Sequence, residues 1–134
     1  MARRRVLVCV GVGLAALVVA GCGRDDFENE PRPPVPAEVN VKIGDGEVVV
    51  SPREFGAGLV NFTIANFYTE PTVLEISGPT EVSSKEVPPG GNTILKAEMT
   101  SGEYEASADD VKAFPFNFEV GPERESGQDD LLLP

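Results

Sequence analysis

The chain has 134 residues, a quarter of them charged, and a formal net charge of −11 at pH 7. This acidity excludes nucleic-acid binding through phosphate contacts, which needs a basic face. The sequence has two cysteines and no histidine. The lack of histidine excludes imidazole bases and imidazole metal ligands.

The first residues have the pattern of an export signal. Arg3, Arg4 and Arg5 precede an apolar run from Val6 to Ala20. This run is shorter than the roughly 20 residues that a membrane-spanning helix needs. A basic start before a short apolar stretch is typical of a secretory leader. The sequence therefore predicts a leader over residues 1–21, with a membrane anchor helix as the alternative.

The leader ends in the segment VAGC, Val19 to Cys22. A branched residue and two small residues before a cysteine resemble the lipobox of bacterial lipoproteins. The resemblance implies cleavage before Cys22 and acylation of that residue, with palmitate among the acyl chains. It also implies a chain anchored on the extracytoplasmic side of the cell membrane. The leader holds three of the eleven basic residues and none of the 22 acidic ones, so the mature charge is near −14. The lipid, rather than the acidic protein surface, would provide the membrane attachment.

Two polar segments flank a predicted domain at residues 38–121, which is long enough for one small core. Residues 22–37 comprise the lipidated cysteine and a proline-rich tether. Residues 122–134 are acidic and lack periodicity, so we predict a disordered tail. Its leucines, Leu131 to Leu133, would fray rather than dock, although docking on the domain or on a partner is the alternative.

Within residues 38–121, apolar and polar residues alternate in several short segments. The segments EVNVKI and EVVVS flank GDG, Gly44 to Gly46, which predicts a hairpin because Asp-Gly tolerates the positive φ of a tight turn. The segment PTEVSSKEVPPGG predicts a short edge strand and then a turn at Pro88 to Gly91. The other predicted strands each place one set of residues on one face: Val60, Phe62 and Ile64; Leu74 and Ile76; Thr93, Leu95, Ala97 and Met99; Tyr104, Ala106 and Ala108; and Phe114, Phe116, Phe118 and Val120. Alternation with Gly and Pro between strands predicts an all-β sandwich.

The order of these elements is similar to that of the cupredoxins. The matching positions are Ser51 and Pro52, Gly58 leading into a strand that ends at Asn66, Pro89 and Gly90 in a turn, and Gly102 and Tyr104 before the loop. The resemblance spans about Val39 to Val120. It implies a single cupredoxin-like domain, which is a Greek-key β-sandwich.

The resemblance also places the copper ligands of that family, and this chain has none of them. Type 1 copper needs two imidazoles and a thiolate, and the corresponding positions are Thr72, Ser107 and Asp110. We therefore predict no cofactor. The domain also resembles the copper-free cupredoxin-like domain of some iron-uptake lipoproteins, which implies an envelope setting.

The leading functional hypothesis is a non-catalytic, membrane-anchored binding or accessory domain. Its partner-facing rim would comprise Tyr68, Glu70, Asp109 and Asp110, and an envelope protein is a possible partner. The alternative is an accessory protein that collects iron or calcium on acidic side chains for an envelope transporter. No calcium-loop pattern is present. We predict no enzymatic activity, because the mature chain has no histidine base, no usable cysteine thiol and no glycine-rich phosphate loop. The sequence leaves the oligomeric state and the export route open.

Overall fold

The computed structural model describes residues 33–109 and 112–125. The predicted leader, Cys22, most of the tether, Asp110 and most of the tail lie outside these residues. Eight strands follow in chain order: β1 Ala37–Ile43, β2 Val48–Ser51, β3 Glu54–Asn66, β4 Leu74–Ser77, β5 Val82–Ser83, β6 Asn92–Met99, β7 Gly102–Ala108 and β8 Phe116–Glu123. Within the described ranges, no helix is long and apolar enough to cross a membrane.

The predicted all-β class is confirmed, and the long strand β3 divides the sheet into two groups. Residues Gly58–Ala65 of β3 pair with β6, and residues Val60–Asn66 of β3 pair with β1. The first group therefore has the order β2-β1-β3-β6. Residues Glu54–Ala57 of β3 pair with β8, which gives the second group the order β3-β8-β7-β4-β5. The pairs of β1 with β3 and of β3 with β8 are parallel, and the other pairs are antiparallel.

The bend between the two parts of β3 lies at Gly56 and Gly58. The register with β8 shifts after Gly56, and Gly58 has a φ of 113°, which favours glycine. Arg124 fills the bend, since its guanidinium donates to the carbonyls of Val35, Ala57 and Leu59. A Cβ on Gly56 would lie 2.3 Å from Cγ of Arg124, so only glycine allows this contact. Arg124 thereby joins the start of the domain to its last strand.

The two groups pack face to face through their inward side chains. Phe62 on the first group is fully buried, and its ring centroid lies 6.5 Å from that of Phe118 on the second group. Phe118 also stacks on Phe55 at 5.6 Å and on Tyr104 at 5.5 Å. Apolar burial of this kind is the main stabilising contribution in a small domain. The core therefore lies between the two strand groups, with the aromatic rings near its centre.

Several local predictions are confirmed. The GDG segment forms the β1–β2 hairpin, with a φ of 91° at Gly46 and a hydrogen bond of 2.9 Å from the Gly44 N–H to the Glu47 carbonyl. The turn at Pro88 to Gly91 closes with a 2.9 Å bond from the Gly91 N–H to the Pro88 carbonyl. The predicted edge strand is β5. The residues that we predicted to face inward on β3, β4, β6 and β7 are buried or pack against the core. The exception is Thr93 on β6, which is partly exposed.

The prediction for the phenylalanine-rich segment is wrong at its first residue and too strong at its second. Phe114 is 80% exposed, because the chain leaves the ladder at Pro115 and β8 begins only at Phe116. Phe114 instead forms a parallel bridge with Glu47 beside β2. Phe116 is only partly buried, and the guanidinium carbon of Arg53 lies 4.9 Å from its ring centroid.

Candidate functional site

The loops at one end of the domain contain the three described residues of the predicted rim, which are Tyr68, Glu70 and Asp109. β1 runs about 20 Å from the predicted tether to the hairpin turn at residues 44–47. The Phe67 N–H donates to the Ile43 carbonyl at 2.8 Å, so the loop after β3 lies beside that turn. We call this the distal end: residues 44–47, 67–73, 88–91, 108–109 and 112–115.

Asn66 holds the distal loops together. Its side chain is 1% exposed, and its Nδ2 donates to the carbonyls of Glu70 at 2.8 Å and Val87 at 2.9 Å. Its Oδ1 accepts from the Tyr68 N–H at 2.8 Å. Its backbone binds the turn, through an N–H donated to Gly91 and a carbonyl that accepts from Gly90. Buried polar groups need such partners, and here one residue organises two loops.

Thr72, the position of the first missing ligand, is buried and bonded to the end of β7. Its hydroxyl donates to the Asp109 carbonyl at 2.6 Å, and the Asp109 N–H donates to the Val73 carbonyl at 2.9 Å. Thr72 also exchanges two backbone hydrogen bonds with Val87. Protein hydrogen bonds therefore join the Thr72 loop directly to the loop that begins at Asp109.

Ser107, the second position matched to a copper ligand, lies on a different face from Thr72. Ser107 pairs with Glu75 on the outer face of the second group, whereas Thr72 is buried. Ala108 is the residue at the end of β7 that packs against the core, opposite Leu74. Successive strand residues face opposite sides, so a slip of one position moves a side chain to the other face. The alternation of Tyr104 and Ala106 along β7 predicts that Ala108 faces the core and that Ser107 faces outward.

Three of the four predicted rim residues lie at the distal end, and Asp110 lies outside the described residues. Tyr68 is half-buried, whereas Glu70 and Asp109 are exposed. Their backbones are fixed by Asn66 and Thr72, and a chain of hydrogen bonds through Val87 connects the two loops. The rim therefore has a defined backbone with exposed carboxylates at its edge.

Sequence reasoning missed the two largest apolar side chains of this surface. Phe67 is 66% exposed and Phe114 is 80% exposed. They lie on either side of the hairpin, since Phe67 binds Ile43 and Phe114 binds Val48 and Gly46 through the backbone. The Nζ of Lys42 lies 5.9 Å from the Phe67 ring centroid. The parity of β3 predicts an outward Phe67, because Ile64 and Asn66 face inward, whereas only the break at Pro115 signals Phe114.

A separate surface on the outer face of the second group is strongly acidic. Glu54 pairs with Glu119, and Glu119 pairs with Glu103 on the next strand. With Glu105 and Arg53 they line a shallow groove of about 610 Å³. Like charges opposite each other in a sheet repel, so the paired glutamates oppose the pairing of these strands.

Within residues 33–109 and 112–125, no three acidic or cysteine side chains are grouped to hold a metal ion. Glu70 and Asp109 lie at the distal end, whereas Glu103 and Glu105 line the acidic groove. No protein-family model matches the sequence, and no curated protein matches it significantly.

Proposed function

We propose that this protein is a non-catalytic lipoprotein of the bacterial envelope, anchored on the extracytoplasmic side of the membrane through Cys22. Its domain is a copper-free, cupredoxin-like module that binds another envelope protein through the distal end. Two parts of the proposal, the lipid anchor and the lack of catalysis, rest on the sequence. The third, the location of the binding surface, rests on the arrangement of the described residues.

The observation that carries the proposed binding surface is the exposure of Phe67 and Phe114 at the end farthest from the tether. Burying one such side chain in an interface stabilises it by roughly 1.5–3 kcal/mol, and exposed apolar patches often mark binding sites. Asp45 and Glu47 are exposed on the turn between the two rings. The surface therefore suits a partner with apolar side chains flanked by basic ones.

The strand order supports the cupredoxin-like part of the proposal. One group comprises β1, β2, β6 and most of β3, and the other comprises β4, β5, β7 and β8 with the first residues of β3. The non-consecutive neighbours in both groups are compatible with Greek-key connections. The hydrogen bond from Thr72 to the Asp109 carbonyl supports a distal end that is closed by protein groups.

The proposed surface can be tested by photo-crosslinking in intact cells. We expect a photoreactive phenylalanine analogue at position 67 or 114 to give one product of the same mass, since both rings would contact one partner. The analogue at Glu105, which is exposed on the acidic face, is the matched control. Products that are absent, or equally abundant from position 105, would contradict the proposed surface.

If the chain is anchored by lipid, replacing the sulfur of Cys22 with oxygen should abolish both lipid attachment and leader cleavage. Cys22→Ser removes the thiol that would carry the diacylglyceryl group, so we expect no incorporation of labelled palmitate and no cleavage of the leader. Gel mobility and radiolabelling measure both. Cys9→Ser, in the part of the leader that would be removed, is the control and should be processed normally. Equal labelling of wild type and Cys22→Ser would refute the anchor.

A pair of redesigned variants tests the cupredoxin-like scaffold and asks which residue at the end of β7 occupies the position of the copper thiolate. Both carry Thr72→His and Asp110→His; one adds Ala108→Cys and the other adds Ser107→Cys. We expect a strong visible copper(II)–thiolate absorption only with Ala108→Cys, because residue 108 faces the core like Thr72 and type 1 copper needs a thiolate with imidazoles. The same colour from both variants, or from neither, would count against the correspondence.

A further inference from the structure

The edges of the two strand groups differ in how well they are protected. β2 has four residues, and the bridge between Glu47 and Phe114 extends along one end of it. β5 has two residues. In contrast, β6 has eight residues and pairs only with β3 among the described strands, without a register shift. Long, regular edges are sites for pairing with another strand, and proteins usually shorten or interrupt them.

The backbone groups of β6 that face outward can be assigned from its ladder. The Asn66 N–H donates to the Gly91 carbonyl, and residue 66 lies opposite residue 91 in the register that continues through Ala65 and Asn92. Because hydrogen-bonded and non-bonded pairs alternate in an antiparallel ladder, the odd residues of β6 bind β3. The outward groups belong to the four even residues: Asn92, Ile94, Lys96 and Glu98. Hydrogen bonds among residues 33–109 and 112–125 do not reach these groups.

We propose that β6 pairs with β6 of a second copy of this chain, antiparallel and centred on Leu95. Ile94 then lies opposite the second copy's Lys96, and Asn92 lies opposite its Glu98. Each of these pairs exchanges two backbone hydrogen bonds. The pairing joins the first strand groups of the two copies into one continuous sheet.

The charges of the opposite residues and the number of outward residues that are paired favour this register over the other two-fold symmetric registers. Centring on Lys96 would place two ammonium groups opposite each other, which is unfavourable. Centring on Ile94 leaves Glu98 without an opposite residue on β6, and centring on Ala97 leaves Asn92 and Ile94 without one. The register at Leu95 uses all four outward residues, and the stem of each Lys96 covers an Ile94 that is 63% exposed in the single chain.

Pairing of one strand buries less than the roughly 1,000 Å² expected of a stable interface. The association in membranes therefore rests on the proposed lipid anchor, since confinement raises the effective concentration. The antiparallel arrangement places the two tethers at opposite ends of the pair. Residues 22–36 span up to about 50 Å when extended, so both anchors reach one bilayer when the strands lie along it.

The test uses the full chain in membranes with Leu95→Cys. The two Cα atoms of a non-bonded antiparallel pair lie about 4.5 Å apart, which is within the range of a disulfide. We expect mild oxidation to give a product of twice the mass, and little from Glu105→Cys on the acidic face. With Cys22 acylated, the wild-type chain has no free thiol. A wild-type product would therefore show failure of the proposed anchor, which is distinct from failure of the pairing.

Two further substitutions identify the register in the Leu95→Cys background. Ile94→Lys faces the second copy's Lys96 and should lower the yield of product about fivefold, whereas Ile94→Glu should raise it by about as much. Both remove the same exposed side chain, so thermal melting should be alike for the two. An equal effect of both, no product, or a product of another mass overturns the proposal. A product that forms only after deletion of residues 126–134 would show that the tail covers β6, and it also overturns the proposal.

Discussion

Phe62→Ala is expected to lower the free energy of unfolding by about 3–5 kcal/mol, the usual cost of removing a fully buried aromatic ring. Phe62 has no exposed surface and contacts the rings of Phe55 and Phe118, with centroids at 6.0 and 6.5 Å. It lies between the two strand groups, so the cavity would open at their interface. A domain of this size has a total stability of roughly 5–15 kcal/mol. The variant should therefore unfold at a much lower urea concentration.

Phe114→Ala is the matched control, because it removes the same side chain from an exposed position. With 80% of its surface already in water, the change should cost less than about 0.5 kcal/mol. Phe116→Ala should fall between the two, since its ring is partly buried beneath Arg53. Coincident urea midpoints for the Phe62 and Phe114 variants would contradict the assignment of the core.

The contrast between these phenylalanines shows what alternation can predict. Phe62 lies in the middle of a strand with partners on both sides, so its parity follows directly from the pleat. Phe114 has the parity of β8 but precedes Pro115, where the chain is outside the ladder. Its orientation depends on the bridge to Glu47, a contact between residues far apart in sequence. Parity is reliable only while a segment stays in its ladder.

The candidate site was predictable to a similar degree. Asn66 and Thr72 could be placed near one end because both follow from strand ends and turns. The hydrogen bond from Thr72 to Asp109 joins residues that are 37 positions apart, and local patterns contain no information about it. Ser107 was assigned by a resemblance, although its own alternation with Tyr104 predicts the opposite face. Strand parity, rather than family spacing, predicts the face on which Ser107 lies.

The order of the strands in the sheet could not be predicted from the sequence, for a different reason. The turns after β1 and β7 fix only neighbours, and they say nothing about which strand lies at an edge. The free edge of β6 follows from the pairing of β3 with β1 on one side and β6 on the other. Under the two proposals above, the edge of β6 would bind a second copy and the distal end would bind another protein.

Asn66→Ala is expected to lower the free energy of unfolding by about 2–4 kcal/mol. The side chain makes three hydrogen bonds, and its loss leaves the Glu70 and Val87 carbonyls and the Tyr68 N–H without these partners. A buried group left without a partner costs about 1–3 kcal/mol. Asn66→Asp should be at least as damaging, since a carboxylate oxygen would face the two carbonyls where the amide now donates.

Asn61→Ala is the control on the same strand. The Asn61 side chain donates one exposed bond, of 2.7 Å, to Glu38, and its Oδ1 has no hydrogen-bond partner. Its replacement should therefore cost less than about 1 kcal/mol. Hydrogen exchange distinguishes the two further: in Asn66→Ala the amides of Phe67, Thr72 and Val87 should exchange faster, because their bonds connect the distal loops. Unchanged protection at these three amides would show that the loops hold together without Asn66, and the distal end could not then depend on that residue for its shape.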